Sequence, residues 1–150
     1  MRFIPVFLLL AVLYLSCGKD SFTTTPQLKY KSANRTTISG DQILELKFRL
    51  TDQEGDFSSF LGMRKSVPGC PASEIYDSAS FAIPNEFIKT KQTEGEVVVS
   101  ITRFKRGSNA CSGSGAGSTK PDTAVFNFWT RDQAGHTSDT ARSEPIIIIN

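Results

Sequence analysis

Two stretches carry acidic side chains of the type that a hard cation takes as ligands. They are Thr51-Asp52-Gln53-Glu54-Gly55-Asp56 and Arg131-Asp132-Gln133-Ala134-Gly135-His136-Thr137-Ser138-Asp139. Each reads Asp-Gln-x-Gly directly after an apolar, strand-like segment. Calcium prefers carboxylate and carbonyl oxygens, so Asp52, Glu54, Asp56, Asp132 and Asp139 form a candidate calcium set of the kind that extracellular β-sandwiches carry at their tips. A purely conformational reading competes with it: Asp hydrogen-bonds the backbone of a tight turn, and Gly takes the positive φ such turns need. The spacing is not that of an EF-hand loop, and the sequence leaves both readings open.

His136, Ser138 and Asp139 contain the residue types of a nucleophile and its base. They are too close in sequence to assemble one, because neighbours along a strand or turn alternate faces whereas triads draw on separated segments. No Gly-x-Ser-x-Gly elbow occurs in the chain. The glycine-rich stretch Gly107 to Lys120 runs Gly117-Ser118-Thr119-Lys120, not in the Gly-Lys-Ser/Thr order of a phosphate loop. His136 therefore reads as a polar turn residue, and the chain as a non-enzyme. Trp129 alternates with Phe126 and Phe128 and so faces away from them. It is either covered by a loop or displayed as an aromatic platform for a sugar or protein partner.

Three cysteines remain. Cys17 follows a 13-residue apolar run, Phe3 to Leu15, that begins after the basic Arg2. A short basic start, an apolar stretch of about 7–15 residues and small residues at the cut make a secretory signal, whereas a membrane span needs about 20 apolar residues. Residues 1–16 read as a signal peptide and Cys17 as the lipidated first residue of the mature chain. Several acyl chains on one residue anchor stably, at about 0.8 kcal/mol per buried methylene. Cys70 and Cys111 are then an even pair in a disulfide-permissive compartment. A bridge between them closes a 41-residue separation and would contribute roughly 4 kcal/mol on the chain-entropy account. A metal site on them is poorly served, with no Cys-x-x-Cys and a single histidine in the chain.

The elements that must position these residues are strands. Removing residues 1–16 leaves 134, one domain's worth of chain. Residues 17–26 are polar and read as a lipidated cysteine with a flexible tether, so the domain is expected over 27–150. Strand character recurs over 28–32, 43–51, 60–65, 80–83, 96–104, 123–131 and 145–149, about seven short strands. In the clearest, Leu44, Leu46, Phe48 and Leu50 alternate with Glu45, Lys47 and Arg49. Segments 97–104 and 124–131 are partly apolar on both faces and are expected in the middle of sheets. The run Ile146 to Ile149 would be a hazard on an open edge and is expected to pair beside 123–131. No stretch outside the signal sustains a helical period. The fold expected is an all-β, antiparallel sandwich of immunoglobulin-like or fibronectin-like architecture. With Arg2 removed, 16 Lys and Arg face 15 Asp and Glu, which lacks the electrostatic footprint of a nucleic-acid binder.

The segments LSCGKD, LKFRLTDQEGDFSS and FNFWTRDQAGHTSDTARSEPIII resemble the small lipoproteins of Bacteroidota-type bacteria that carry one immunoglobulin-like domain, a family largely of unknown function. The resemblance implies an outer-membrane anchor, and Lys19-Asp20 is similar to the charged tags that send some of these lipoproteins to the cell surface. Such bacteria attach O-glycans at Asp-Ser/Thr followed by a small or aliphatic residue, which singles out Ser78, Thr123 and Thr140. The expected role is a lipid-anchored binding or structural accessory at the envelope, with a glycan or an envelope protein as partner. A calcium-stabilised adhesion module is the alternative.

Overall fold

The alternation in the sequence is what organises the molecule. A computed structural model describes residues 22–39, 42–69, 77–102 and 121–149. Among these residues the chain forms β1 (Gln27–Ala33), β2 (Thr37–Ile38), β3 (Leu44–Thr51), β4 (Phe57–Ser66), β5 (Asp77–Ala82), α1 (Asn85–Lys89), β6 (Glu94–Ile101), β7 (Asp122–Asp132), β8 (Ala141–Arg142) and β9 (Ile146–Ile148). They build an all-β, immunoglobulin-like sandwich. One sheet has the order β1-β3-β6; the larger has the order β2-β9-β7-β4-β5, with β8 also paired to β7. All pairings are antiparallel except that of β2 with β9.

The two sheets meet through the apolar sets their strands present at every second position. From β3, Leu44, Leu46, Phe48 and Leu50 are all fully buried. From the larger sheet come Leu61, Met63, Ala124, Phe126, Phe128, Ile146 and Ile148. Phe48 and Phe128 join the layers, their ring centroids 4.6 Å apart. Complete burial of side chains of this size stabilises by about 1.5–3 kcal/mol each. On the outer face of β3, Arg49 pairs with Glu94 and Lys47 with Glu96 of β6. Exposed pairs of this kind contribute little, so the inner face decides the register.

Segment 97–104 differs from expectation. β7 is central in the larger sheet, but β6 is an edge of the smaller one among the described residues. Its Val98 is about half exposed, so a run apolar on both faces reflects β propensity here rather than double coverage. The isoleucine run pairs beside β7 as expected, Ile146 opposite Ala124 and Ile148 opposite Asp122. Its other edge is closed by β2, with Ile149 N–H bonded to Ile38 C=O at 2.8 Å.

The short helix α1 fastens the crossing from β5 to β6. Phe87 lies on the β6 backbone at Gly95, where a Cβ would come within 2.2 Å of its ring, and it stacks on Phe57 at 5.5 Å. Tyr30 of β1 donates its hydroxyl to Glu144 at 2.8 Å, tying the smaller sheet to the segment before β9. Packing also begins ahead of Gln27, since Pro26 is buried and Thr23 C=O accepts from Gln53 N–H. No described helix is long and apolar enough to cross a membrane. Cys17, Cys70, Cys111, most of the tether and the stretch Gly107 to Lys120 lie outside the described residues.

Candidate metal centre

β3 and β7 end side by side at one end of the sandwich. Phe57, the first residue of β4, pairs with Asp132, the last of β7. Gln133 N–H donates to Asp56 C=O at 2.8 Å. The two Asp-Gln-x-Gly loops are thereby pinned against each other. Gly55 takes φ +63°, and a Cβ there would come within 2.5 Å of Lys91 C=O, so the turn requires glycine on both counts. Asp52 Oδ1 accepts from Glu54 N–H at 2.8 Å and Gly55 N–H at 2.9 Å. Asp132 Oδ1 accepts from His136 N–H at 2.7 Å. The conformational reading of the two aspartates is therefore realised.

It accounts for only one oxygen of each. Carboxylate oxygens of Asp52, Asp56 and Asp132 lie within 4.8 Å of one another. Asp52 is fully buried and Asp132 is 3% exposed. Asp52 Oδ2 and Asp56 Oδ1 are both buried with no hydrogen-bond partner. A buried acceptor without a donor loses its hydration without replacement, at a cost of about 1–3 kcal/mol and more for a charged group. Gathering three carboxylates adds repulsion. The arrangement has the ligand chemistry of a site that can bind a metal ion, since hard cations take such oxygens and cancel their charge.

The electrostatics divide the site. Burial pushes the Asp52 carboxyl above its ordinary value; the N–H groups of Glu54 and Gly55 oppose this, and the neighbouring Asp56 and Asp132 add to it. Asp132 is held below its ordinary value. Burial acts to raise it, but hydrogen bonds from the His136 ring and backbone outweigh that. His136 Nδ1 sits 2.5 Å from Asp132 Oδ2.

Of the five acidic residues singled out in the sequence, Asp52, Asp56 and Asp132 converge. Glu54 lends its backbone N–H to the Asp52 turn rather than joining the group, and Asp139 is exposed beyond the bridge that pairs Arg131 with Thr137. His136 is a turn residue, as read, and also the clamp on Asp132, a role its sequence position did not suggest. Ser138 Oγ donates to Asp139 C=O and accepts from Thr130 N–H, so this hydroxyl serves the backbone.

Trp129 points outward, as its alternation requires. It lies flat across Gly62, where a Cβ would come within 2.5 Å of the indole. The Arg64 guanidinium sits 6.0 Å from the ring centroid and Phe60 flanks it at 6.5 Å. Arg64, Asn127, Trp129, Thr140 and Arg142 line a surface groove of about 550 Å³. Ser78 and Thr140 are exposed, and Thr123 is half-buried within β7.

No protein-family model matches the sequence, and no curated protein matches it. Two solved structures of one CARDB domain from Pyrococcus furiosus are similar in outline. A solution NMR structure is 10% identical with a TM-score of 0.36, covering 83% of this chain and 94% of that one. A crystal structure described as a complex with di-metal ions is 8% identical with a TM-score of 0.37, covering 87% of this chain and 95% of that one. What the molecule itself establishes is an all-β, immunoglobulin-like sandwich whose two Asp-Gln-x-Gly loops gather three carboxylates able to hold a metal ion.

Proposed function

We propose that this protein is a lipid-anchored, non-enzymatic accessory module of the bacterial outer membrane, of the Bacteroidota lipoprotein type, and that calcium completes its sandwich. The observation that carries the calcium reading is the pair of buried, partnerless oxygens on Asp52 and Asp56, facing Asp132. Oxygens up to 4.8 Å apart are separated by roughly twice a calcium–oxygen bond of 2.3–2.6 Å. Magnesium, at 2.0–2.1 Å in a strict octahedron, would need a tighter and more regular set. The ion would tie the end of β3 to the end of β7, and so one sheet to the other, leaving the outer face of the larger sheet for a glycan or an envelope protein at Trp129.

Thermal melting of the mature protein in calcium and in excess chelator tests this. A cation at a hundred times its Kd stabilises by about 2.7 kcal/mol, which for a domain of this size raises Tm by several degrees. Coincident melts would end the calcium reading. The anchor is tested separately. Cys17→Ser should move the protein from the membrane fraction to the soluble fraction of its host, and continued membrane retention would count against lipid attachment.

A further inference from the structure

We propose that Lys65 and Asp122 condense to an intramolecular amide bond that welds β4 to β7. β4 runs Leu61, Met63, Lys65 on its inner face, so the lysine occupies a core position and is 1% exposed. Asp122 opens β7 on the same face and is equally buried. Lys65 Nζ lies 2.9 Å from Asp122 Oδ2. The other carboxylate oxygen, Asp122 Oδ1, is buried with no hydrogen-bond partner. On the β7 and β9 sides their cross-strand neighbours are apolar: Phe126 lies opposite Lys65, and Ile148 opposite Asp122.

As an ion pair this is a poor solution. Two charges are taken out of water, and Asp122 Oδ1 gains no hydrogen bond in exchange, a situation in which desolvation can exceed Coulomb attraction. The same contact is a good starting point for acyl transfer. Nucleophile and acyl group are held in van der Waals contact within a dry site, and fixed proximity replaces the entropy of a bimolecular encounter. A lysine amine attacking a carboxyl group is ordinary nucleophilic chemistry. Asp77 stands opposite Lys65 on β5, where a second carboxyl can relay protons.

The reaction balances without an added reagent. One proton passes from the Lys65 ammonium to the Asp122 carboxylate, giving amine and acid. Nζ then bonds to Cγ, a carbon–oxygen bond of the acid breaks, and the departing hydroxyl leaves with a proton from nitrogen as water. Ammonium plus carboxylate becomes a neutral amide plus one water. Both buried charges disappear, and the orphaned oxygen becomes an amide carbonyl. The link would close a 57-residue separation across the two most extensively paired strands of the larger sheet.

The test is peptide mass spectrometry on the full chain, denatured, reduced and digested with trypsin. The expected result is no cleavage after Lys65 and a branched species joining residues 65–89 to 107–131, lighter than the two peptides together by one water. Cleavage after Lys65, with both peptides at their full sequence masses, would overturn the proposal and leave an ion pair. Asp122→Asn keeps the shape of the site and should give the same branched product by releasing ammonia instead of water; its absence would equally count against the bond. Lys65→Arg retains a cation that is not a competent nucleophile and should give no branched species. Because the readout is covalent, loss of folding cannot imitate the branched species expected in the parent and in Asp122→Asn, and these two decide the test.

Discussion

The loops after β3 and β7 carry the same Asp-Gln-x-Gly text, yet their aspartates are in opposite electrostatic states. Asp52 and Asp132 each spend one oxygen on the backbone of their own turn. The difference is the second oxygen. That of Asp132 meets the His136 ring, and its carboxyl is held below the ordinary value. That of Asp52 meets nothing, and burial holds its carboxyl above it. Turn chemistry fixes where these carboxylates sit, whereas the partner of the outlying oxygen fixes what each can do. The Asp132 loop is finished in its hydrogen bonding. The Asp52 loop leaves Oδ2 without a donor.

Breaking the finished side should have the larger effect. Asp132→Asn weakens the His136 contact and removes one oxygen anion from the site. It should cost about 1–3 kcal/mol with chelator present and flatten the calcium response of Tm; an unchanged melt in both conditions would mean that the loops do not differ as argued. Asp52→Asn is the sharper and smaller test, because its sign is opposite. The amide oxygen can still accept from Glu54 and Gly55, while the buried negative charge is gone. In chelator this variant should match or exceed the parent by up to about 1 kcal/mol while losing the calcium response, whereas clear destabilisation would show that the Asp52 charge is already balanced.

The parent's pH profile in chelator should carry the same asymmetry. Asp52 has a raised folded-state pKa, so its contribution is present below its unfolded pKa and is lost as pH rises through the folded one. Asp132 is lowered, so its contribution is present above its unfolded pKa and is lost as pH falls through the folded one. Acidification from neutrality should first stabilise the apoprotein slightly and then destabilise it. Asp52→Asn should remove the first limb alone.

How much of this was legible follows from what local sequence encodes. The inner face of β3 could be read directly because its period of two is unbroken from Leu44 to Leu50. The three aspartates of the candidate site could be named because their residue type and turn context announce them. Their convergence could not, since it depends on the β4–β7 register that sets Phe57 opposite Asp132. β2, β8 and α1, at two, two and five residues, are shorter than any periodicity can mark. The Lys65–Asp122 pair was hidden for a different reason. A lysine in an alternating strand reads as an outward residue, and only the positions of Leu61 and Met63 on the same face show that the alternation carries it inward.

The parallel pairing of Thr37–Ile38 with Ile147–Ile148 joins residues 110 positions apart. The isoleucine strand is therefore seated between a segment made early in synthesis and one made late. The larger sheet cannot be completed on a partly emerged chain. Contacts of such long range also make folding slow. A polypeptide built this way keeps the strand of residues 37–38 without its partner until the isoleucine strand has been made.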